Sequence, residues 1–471
     1  MARSLKPGGQ GLAEQASLTT TNSRTHDETR QIFQMKLYST HNRETRVTFE
    51  RAVFQSLPAD GGLYMPQVIP ALAPSFLASL PARSFQEIAL EVSRTLLGDD
   101  IPEAALKNII DQAVDFPAPV VKLDPDTYAL ELFHGPSMAF KDFGARFMSR
   151  VMAYFLQKER KRIHILVATS GDTGGAVAMG FYEVPDIEVT ILYPSGKVSP
   201  IQEKQLTTLG GNISALEVEG TFDDCQRLVK QAFLDPSLNE ALNLSSANSI
   251  NIARLIPQTF YYFNAYAQLR KAGDDRPVVF SVPSGNFGNL TAGLIARRMG
   301  LPVRKFIAST NINDEVPRYL RSGVFDPRPS MHTLSNAMDV GNPSNFARML
   351  DLFNHDVHQM NAGISGYSFT DEQTLETIRA VAAGRDYVVC PHTAVAYAGL
   401  KRFLAETGTG ELAGIFLSTA HPCKFPGVYD AGTKAKLTYP PQARALENKQ
   451  KEAVLMDNDF GAFKQILMKD R

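Results

Sequence analysis

One lysine stands among apolar residues in the segment FHGPSMAFKDFG (133–144). Burying a charged amine is costly unless the charge is paired or neutralised, so an apolar setting lowers the pKa of a lysine. Lys141 would then serve as a nucleophile or general base, with Phe140 and Phe143 as its apolar frame. The alternative is a lysine whose head group reaches water or pairs with Asp142. This segment alone leaves both interpretations open.

Glycine-rich and hydroxyl-rich segments follow apolar runs at three places: TSGDTGG (169–175), PSGNFGN (283–289) and STAHP (418–422). A glycine-rich turn before a helix offers free backbone N–H groups and the positive end of the helix dipole, which together bind anions. PSGNFGN is the better phosphate candidate, because Gly285 and Gly288 let the backbone approach a ligand closely. We expect Asn289 and Thr291 to cap the helix that follows. Taken singly, each segment also fits an ordinary helix start, and neither of the first two matches a Walker or GxGxxG loop.

A nucleophilic lysine and a phosphate-binding loop together fit pyridoxal 5′-phosphate (PLP). The lysine binds the cofactor aldehyde as a Schiff base, the loop binds the phosphate, and a third group must face the pyridine nitrogen. A second polar cluster lies in SANSINIARLIPQ (246–258), where Arg254 could hold a phosphate or carboxylate with two hydrogen bonds. By itself, this cluster also fits a helix start with one surface arginine.

Composition limits the class of protein. The chain has 471 residues, 44% of them hydrophobic, and a net charge of −1, which gives no electrostatic reason for binding nucleic acid or an anionic membrane. No apolar run approaches the roughly 20 residues that span a bilayer. The three cysteines are scattered, which favours a reducing compartment, and we expect a cytoplasmic protein. Metal binding is not predicted, because neither HDVH (355–358) nor Cys390-Pro-His392 has enough companion ligands.

The chain divides by pattern into three parts. Residues 1–34 are polar and are predicted to be a disordered extension. Residues 35–125 have helical apolar spacing and predict a small, mainly helical N-terminal lobe, in which GGLYMPQVIP (61–70) is expected to be a loop. Residues 126–471 are predicted to form the α/β region, with a smaller βα lobe inserted at about 150–245.

Apolar runs alternate with helical patterns throughout the α/β region, which predicts βαβ units in open, doubly wound, mostly parallel sheets. Such sheets bind ligands at the carboxyl ends of their strands. The predicted strands are RIHILVAT (162–169), IEVTILYP (187–194), ISALEVEG (213–220), PVVFSVPSG (277–285), VRKFIAST (303–310), DYVVCPH (386–392) and ELAGIFLSTAHP (411–422).

Seven motifs in order resemble those of the threonine synthase family over roughly residues 35–440. They are HGPSMAFKDFG, ATSGDTGGA, NSINIARLIPQ, VPSGNFGNLTAG, STNINDEVPRYL, TLSNAMDVGNPSNF and LSTAHPCKFP. The resemblance implies the fold of the tryptophan synthase β-subunit class, PLP fold type II, with two lobes.

The resemblance also implies roles for particular residues. Lys141 would carry the cofactor, and Thr419 would hydrogen-bond its pyridine nitrogen. The residues implied for the cofactor phosphate are Gly285, Asn286, Phe287, Gly288 and Asn289. Those implied for the substrate's amino-acid end and the cofactor O3′ edge are Thr169, Ser170, Asp172 and Thr173. Those implied for the substrate phosphate are Asn248, Ser249 and Arg254.

The implied reaction converts O-phosphohomoserine and water to L-threonine and phosphate, by β,γ-elimination followed by water addition at Cβ. It accounts for two anion sites, one for the cofactor phosphate and one for the leaving phosphate. The alternative enzyme is another fold-type-II lyase such as a serine/threonine dehydratase, whose substrate has no phosphate. The alternative that is not an enzyme is a catalytically silent relative that binds ligands. The sequence allows a monomer or a homodimer.

Overall fold

The structure, a computed structural model, describes residues 34–159, 161–408 and 410–469. The predicted disordered extension, apart from Gln34, lies outside the described residues. Within the described ranges, no helix is long and apolar enough to cross a membrane.

The N-terminal region combines a small antiparallel sheet with four helices. The middle strand β1 pairs with β2 on one side and with β3 on the other. The segment 61–70, expected to be a loop, contains the strand β3, because its Tyr-Met-Pro run pairs with β1. The elements are β1 (Lys36–Ser39), β2 (Val47–Thr48), α1 (Phe49–Gln55), β3 (Tyr64–Pro66), α2 (Pro74–Ser79), α3 (Phe85–Leu97) and α4 (Glu103–Ala113).

Helix α3 shows how the sequence determines these elements. Ser84 and Glu87 form a reciprocal capping box at its start, which satisfies backbone N–H groups that no helical carbonyl can reach. Ile88, Val92 and Leu96 recur at helical spacing and are buried in the main core. The domain boundaries proposed from the sequence stay a prediction.

Strands and helices alternate through the rest of the chain. In chain order they are β4 (Val120–Asp124), β5 (Thr127–Glu131), α5 (Lys141–Glu159), β6 (Ile163–Ala168), α6 (Asp172–Phe181), β7 (Ile187–Pro194), α7 (Pro200–Thr207), β8 (Ile213–Glu219), α8 (Phe222–Leu234), α9 (Pro236–Leu242), β9 (Leu244–Ser246), α10 (Ile252–Leu255), α11 (Phe260–Lys271), β10 (Val278–Pro283), α12 (Gly288–Arg298), β11 (Val303–Thr310), α13 (Glu315–Ser322), α14 (Phe346–Leu352), α15 (Val357–Gly363), β12 (Ile364–Ser368), α16 (Asp371–Arg385), α17 (Pro391–Thr407), β13 (Ala413–Ser418), α18 (Ala431–Lys434), α19 (Pro441–Arg444), β14 (Val454–Asp457) and α20 (Phe460–Met468).

These strands form two sheets. The larger has six strands in the order β12-β11-β10-β13-β5-β4, parallel except for the antiparallel edge strand β4. The smaller has five parallel strands in the order β14-β8-β7-β6-β9. Its edge strand β14 comes from the end of the chain, so residues far apart in sequence complete one sheet.

One predicted strand is wrong. DYVVCPH (386–392) is irregular up to Cys390, and α17 begins at Pro391. Proline lacks an N–H and favours the first position of a helix, which explains why the apolar run leads into α17 rather than pairing in a sheet.

Candidate active site

All fourteen residues singled out from the sequence line one cavity of about 530 Å³. The cavity is bordered by segments that follow the carboxyl ends of β6, β10 and β13, which belong to both parallel sheets. This is the position where parallel sheets bind ligands. The fourteen are Lys141, Thr169, Ser170, Asp172, Thr173, Asn248, Ser249, Arg254, Gly285, Asn286, Phe287, Gly288, Asn289 and Thr419.

Backbone pairing brings Lys141 beside Thr419. The loop before α5 runs antiparallel to the segment after β13: the Phe140 N–H donates to the Thr419 carbonyl at 2.8 Å, and the His421 N–H donates to the Met138 carbonyl at 3.0 Å. Lys141 is the first residue of α5. The lysine and the strand-end hydroxyl therefore share one wall, although many residues separate them in sequence.

The surroundings of Lys141 support an amine that is easily deprotonated. Burial lowers the pKa of Lys141 to about 8; the Asp172 carboxylate acts to raise it, while Arg254 acts to lower it. Asp142 does not serve as its partner: one carboxylate oxygen accepts the Ser137 N–H at 2.9 Å, and the other has no hydrogen-bond partner among the described residues. The alternative of a lysine paired with Asp142 is therefore not supported.

The apolar frame differs from the expected one. Phe140 lines the cavity. Phe143, two positions further along α5, packs instead into an aromatic cluster with Phe116 and Tyr261, at ring-centroid distances of 4.7 and 5.3 Å. Side chains two apart on a helix do not share a face, so Phe143 supports the helix rather than enclosing the amine.

The loop between β10 and α12 has the geometry of an anion site. Helix α12 begins at Gly288, and no side chain of the described chain caps it, so its first N–H groups remain available. The expectation that Asn289 and Thr291 cap the helix is wrong. The Thr291 hydroxyl donates back to the Phe287 carbonyl at 2.7 Å, and the side-chain oxygen Oδ1 of Asn289 accepts hydrogen bonds from two tyrosines of α11.

Unpartnered polar atoms show that the cavity fits a phosphate-bearing ligand. Asn289 Nδ2, Arg254 Nε and Asn248 Oδ1 are buried and have no hydrogen-bond partner among the described residues. Native proteins rarely leave such atoms unsatisfied. A Cβ on Gly285 would lie 2.7 Å from Met338 Cα, so the loop can pass there only with glycine. The Asn289 amide nitrogen, the uncapped helical N–H groups and a buried amine of lowered pKa suit PLP.

The groups expected for the two phosphates lie next to each other. The Asn286 amide donates to the Ser249 hydroxyl at 2.6 Å and accepts the Ser344 N–H at 2.6 Å. Asn286 belongs to the loop expected to bind the cofactor, whereas Ser249 belongs to the segment expected to bind the substrate phosphate. One hydrogen bond thus joins the two predicted anion sites.

Arg254 is a buried cation at the cavity wall. Its guanidinium donates to the Ala247 carbonyl. Burial lowers the pKa of Arg254 to about 10, an effect that Asp142 opposes. A Cβ on Gly144 would lie 2.7 Å from Arg254 Nε, so glycine in α5 makes room for this side chain.

The loop after β6 presents Asp172 at the start of α6. Gly171 has φ +128°, and a Cβ there would lie 2.5 Å from the Gln202 side chain. Thr169 Oγ1 accepts two backbone hydrogen bonds, from Gly171 N–H at 3.0 Å and from Gly174 N–H at 2.8 Å. Thr169 therefore shapes this loop and keeps only its own O–H for a ligand.

Known families match this sequence along almost its whole described length. Residues 36–114 match the family described as "Threonine synthase N terminus", residues 115–417 match "Pyridoxal-phosphate dependent enzyme", and residues 393–467 match "Threonine synthase, C-terminal". The threonine synthase of Haemophilus influenzae is 47% identical over 441 residues, covering 92% of this chain and all of that protein.

The chain belongs to the threonine synthase family. The crystal structure of the Escherichia coli threonine synthase is similar, with 42% identity, a TM-score of 0.84, and coverage of 93% of this chain and 100% of that one. The structure of PLP-bound threonine synthase from Brucella melitensis is 34% identical, with a TM-score of 0.84, and covers 92% and 99%. The protein is thus a PLP-dependent enzyme of fold type II.

Sequence reasoning missed a buried lysine of this threonine synthase family member. Lys424 is fully buried, and its Nζ lies 2.6 Å from the Asp172 carboxylate. Gln202 donates to the same carboxylate oxygen at 2.9 Å. Burial acts to raise the pKa of Asp172, but Lys424, Lys141 and His392 together hold it well below its usual range. The signal was present, since Lys424 stands among apolar residues in LSTAHPCKFP much as Lys141 does in its own segment.

His392 is a second residue that sequence reasoning missed, having been weighed only as a metal ligand. It lines the cavity, and its Nε2 accepts the Ala337 N–H at 3.2 Å. Burial lowers the pKa of His392 to about 4, so its ring is neutral at physiological pH. No group of three or more His, Cys, Asp or Glu residues that could hold a metal occurs within the described ranges.

Proposed function

We propose that this threonine synthase family member converts O-phosphohomoserine and water to L-threonine and phosphate, with PLP held by Lys141. The observation that carries the proposal is the hydrogen bond between Asn286 and Ser249. It places two anion-binding groups side by side in the cavity of a buried amine. A substrate that carries its own phosphate needs this arrangement, whereas a serine or threonine substrate needs only the cofactor's phosphate site.

The proposed roles in cofactor binding follow from the contacts. The uncapped start of α12 and the free amide nitrogen of Asn289 bind the PLP phosphate. The Thr419 hydroxyl would be the partner of the pyridine nitrogen, and a neutral partner there would leave that nitrogen largely unprotonated. When bound, PLP supplies a ring that withdraws electrons from the substrate's Cα.

The proposed roles toward the substrate divide between two walls. Ser170, Asp172 and Thr173 line the amino-acid end, together with the remaining O–H of Thr169. Arg254 binds the substrate phosphate with its guanidinium group, with Asn248 and Ser249 beside it. The guanidinium can neutralise the phosphate as it leaves Cγ.

Lys141 moves the protons. An amine whose pKa lies near the working pH can both accept and return a proton. We infer that the free Lys141 amine would take the proton from Cα of the bound substrate and would later return a proton to Cα. The burial that lowers its pKa to about 8 keeps the free amine available for these transfers.

The decisive experiment measures phosphate release from O-phosphohomoserine, with and without added PLP. We expect phosphate and threonine in equal amounts, dependent on PLP. Consumption of threonine or serine with O-phosphohomoserine left intact would favour a dehydratase. A preparation that stays colourless when PLP is added, and that turns over neither substrate, would favour a silent relative.

A further inference from the structure

Lys424 is buried between the start of α6 and the loop before α5, and both of these segments border the cavity. It ends the short 3-10 helix Pro422–Lys424 that follows β13, and its side chain is fully buried. Its ammonium group contacts the Asp172 carboxylate at 2.6 Å and donates to the Ser137 carbonyl at 2.9 Å. One side chain therefore joins the start of α6 to the loop that carries Lys141.

The partners of Lys424 are themselves held in place. The Gln205 amide donates to the Ser137 carbonyl at 2.8 Å, and the Ser137 N–H donates to Asp142 at 2.9 Å. Gln202 donates to Asp172 at 2.9 Å. Lys424 thus lies in a network that includes both the residue after Lys141 and a carboxylate of the cavity wall. Lys424 makes both of its contacts through one ammonium group, whereas Ser137 Oγ, Asp142 Oδ1 and Gln205 Oε1 have no hydrogen-bond partner among the described residues.

The charges of this network act on the ionisation of the Lys141 amine. The charged and titratable groups that act on this part of the cavity include Lys141, Asp142, Asp172, Arg254, His392, His421, Lys424 and the thiols of Cys390 and Cys423. A buried carboxylate without a counter-ion would either take up a proton or draw one onto a nearby amine. Lys141 is the amine that the Asp172 carboxylate influences.

We propose that Lys424 is a positioning residue: its ammonium fixes the Asp172 carboxylate as an anion at the cavity wall and ties it to the loop of Lys141, so that the Lys141 amine faces an ion pair rather than a lone carboxylate. Lys424 itself does not touch the reacting atoms. The consequence for turnover rests on the proposed function, whereas the effect on Lys141 does not.

The signs of the expected shifts follow from Coulomb interactions. Removing the Lys424 charge leaves Asp172 unbalanced, which raises the pKa of Lys141. Removing the Asp172 charge leaves Lys424 unbalanced, which lowers the pKa of Lys141. Removing both should bring it back toward about 8, the value that burial and the intact pair produce together.

The test measures the pH dependence of Lys141 acetylation by acetic anhydride in the full-length protein freed of PLP, read by peptide mass spectrometry. We expect a midpoint near pH 8 for the unchanged protein, because only the uncharged amine reacts. Lys424→Met should move the midpoint up by about one pH unit, so that labelling at pH 7 falls about tenfold. Lys424→Arg should stay near the unchanged protein.

Two further variants separate charge from structure. Asp172→Asn should move the midpoint down, and Asp172→Asn combined with Lys424→Met should lie between the single variants. The matched control is Lys204→Met, since Lys204 also donates to backbone carbonyls, those of Leu446 and Glu447, but lies outside the cavity lining. The Lys141 midpoint in the Lys204→Met variant should equal that of the unchanged protein.

A merely structural role for Lys424 predicts a different result. In that case Lys424→Met would lower thermal stability and leave the Lys141 midpoint unchanged, which would overturn the proposal. If Lys424→Met does not fold, Asp172→Asn decides: an unchanged or raised midpoint contradicts the charge arrangement. Failure of the protein to release phosphate from O-phosphohomoserine would instead remove the proposed reaction and leave these midpoints untouched.

A second readout uses the PLP-loaded protein. If the proposed reaction holds, the acid limb of the kcat–pH profile should move to higher pH in Lys424→Met, because a higher proton affinity of Lys141 leaves less free amine. Lys424→Arg should restore the profile. A loss of kcat with an unchanged profile in both variants would contradict the positioning role.

Discussion

At Lys141 the proposed chemistry depends on a single buried amine of lowered pKa. Its pKa of about 8 leaves about half of the amine uncharged at pH 8 in the protein without PLP. Since no other group in the proposed scheme carries the cofactor, Lys141→Ala should reduce phosphate release by at least about 10³-fold. Far-ultraviolet circular dichroism should be unchanged.

The control for Lys141→Ala lies on the same helix. Lys158 is exposed near the end of α5, with its ammonium over the Tyr154 ring. Lys158→Ala should keep full activity. Full phosphate release by Lys141→Ala would remove Lys141 from its role.

Arg254 is expected to determine how tightly the substrate phosphate binds. Lysine in its place keeps the charge but loses the planar fork that binds phosphate through two N–H groups. Arg254→Lys should lower kcat/KM for O-phosphohomoserine by about 10–100-fold, mostly through KM, in line with the loss of one hydrogen bond to a charged group. PLP binding, followed by visible absorbance, should change little. A loss of PLP affinity with KM unchanged would assign Arg254 to the cofactor instead.

At the scale of elements, α11 orients the start of α12. The hydroxyls of Tyr261 and Tyr262 each lie 2.7 Å from Asn289 Oδ1, so the amide oxygen is occupied while the amide nitrogen has no partner among the described residues. Removing both hydroxyls leaves a buried carbonyl oxygen without a donor, which costs about 1–3 kcal/mol. The two tyrosines act as a unit rather than as independent contacts.

A double-mutant cycle tests this element-level prediction. Tyr261→Phe and Tyr262→Phe should each weaken PLP binding slightly, since one donor remains, whereas the double variant should weaken it by about tenfold or more. Tyr266→Phe on the same helix is the control, because its ring lies against the Arg270 guanidinium. Additive effects in a titration of PLP absorbance would contradict a shared acceptor.

At the scale of the whole molecule, the end of the chain completes the smaller sheet. Strand β14 pairs with β8, and Phe463 of α20 is buried in the core of that sheet with Met456 and Leu467. Phe463→Ala should lower the free energy of unfolding by about 3–5 kcal/mol, measured by urea denaturation. Because Leu455 is 58% exposed, Leu455→Ala should change it by less than about 0.5 kcal/mol. Equal effects would show that the C-terminal segment is not packed on the sheet.

Assembly and location stay predictions. The sequence allows a monomer or a homodimer, which light scattering would distinguish. The cytoplasmic location was inferred from scattered cysteines; Cys225, Cys390 and Cys423 are free and buried.

The sequence by itself determined the kind of site. Glycine-rich turns, a lysine among apolar residues and strand–loop–helix order are local signals, because backbone conformation and helix starts depend on near neighbours in the chain. They predicted Lys141, the segments 283–289 and 418–422 and the parallel sheets, whereas the motif order predicted the family and, through it, the role of Thr419. Local signals also misled: DYVVCPH (386–392) has strand-like composition, but the proline at its end starts a helix.

Only the tertiary structure decided how these parts meet. The Lys424–Asp172 pair, the tyrosines that turn Asn289 and the place of β14 beside β8 all join segments distant in sequence. Strand order and packing determine which distant residues become partners, and the spacing of nearby residues in the sequence does not show this. Burial then sets the charges: the same lysine and aspartate in water would be ordinary ions, and inside the cavity their ionisation depends on each other.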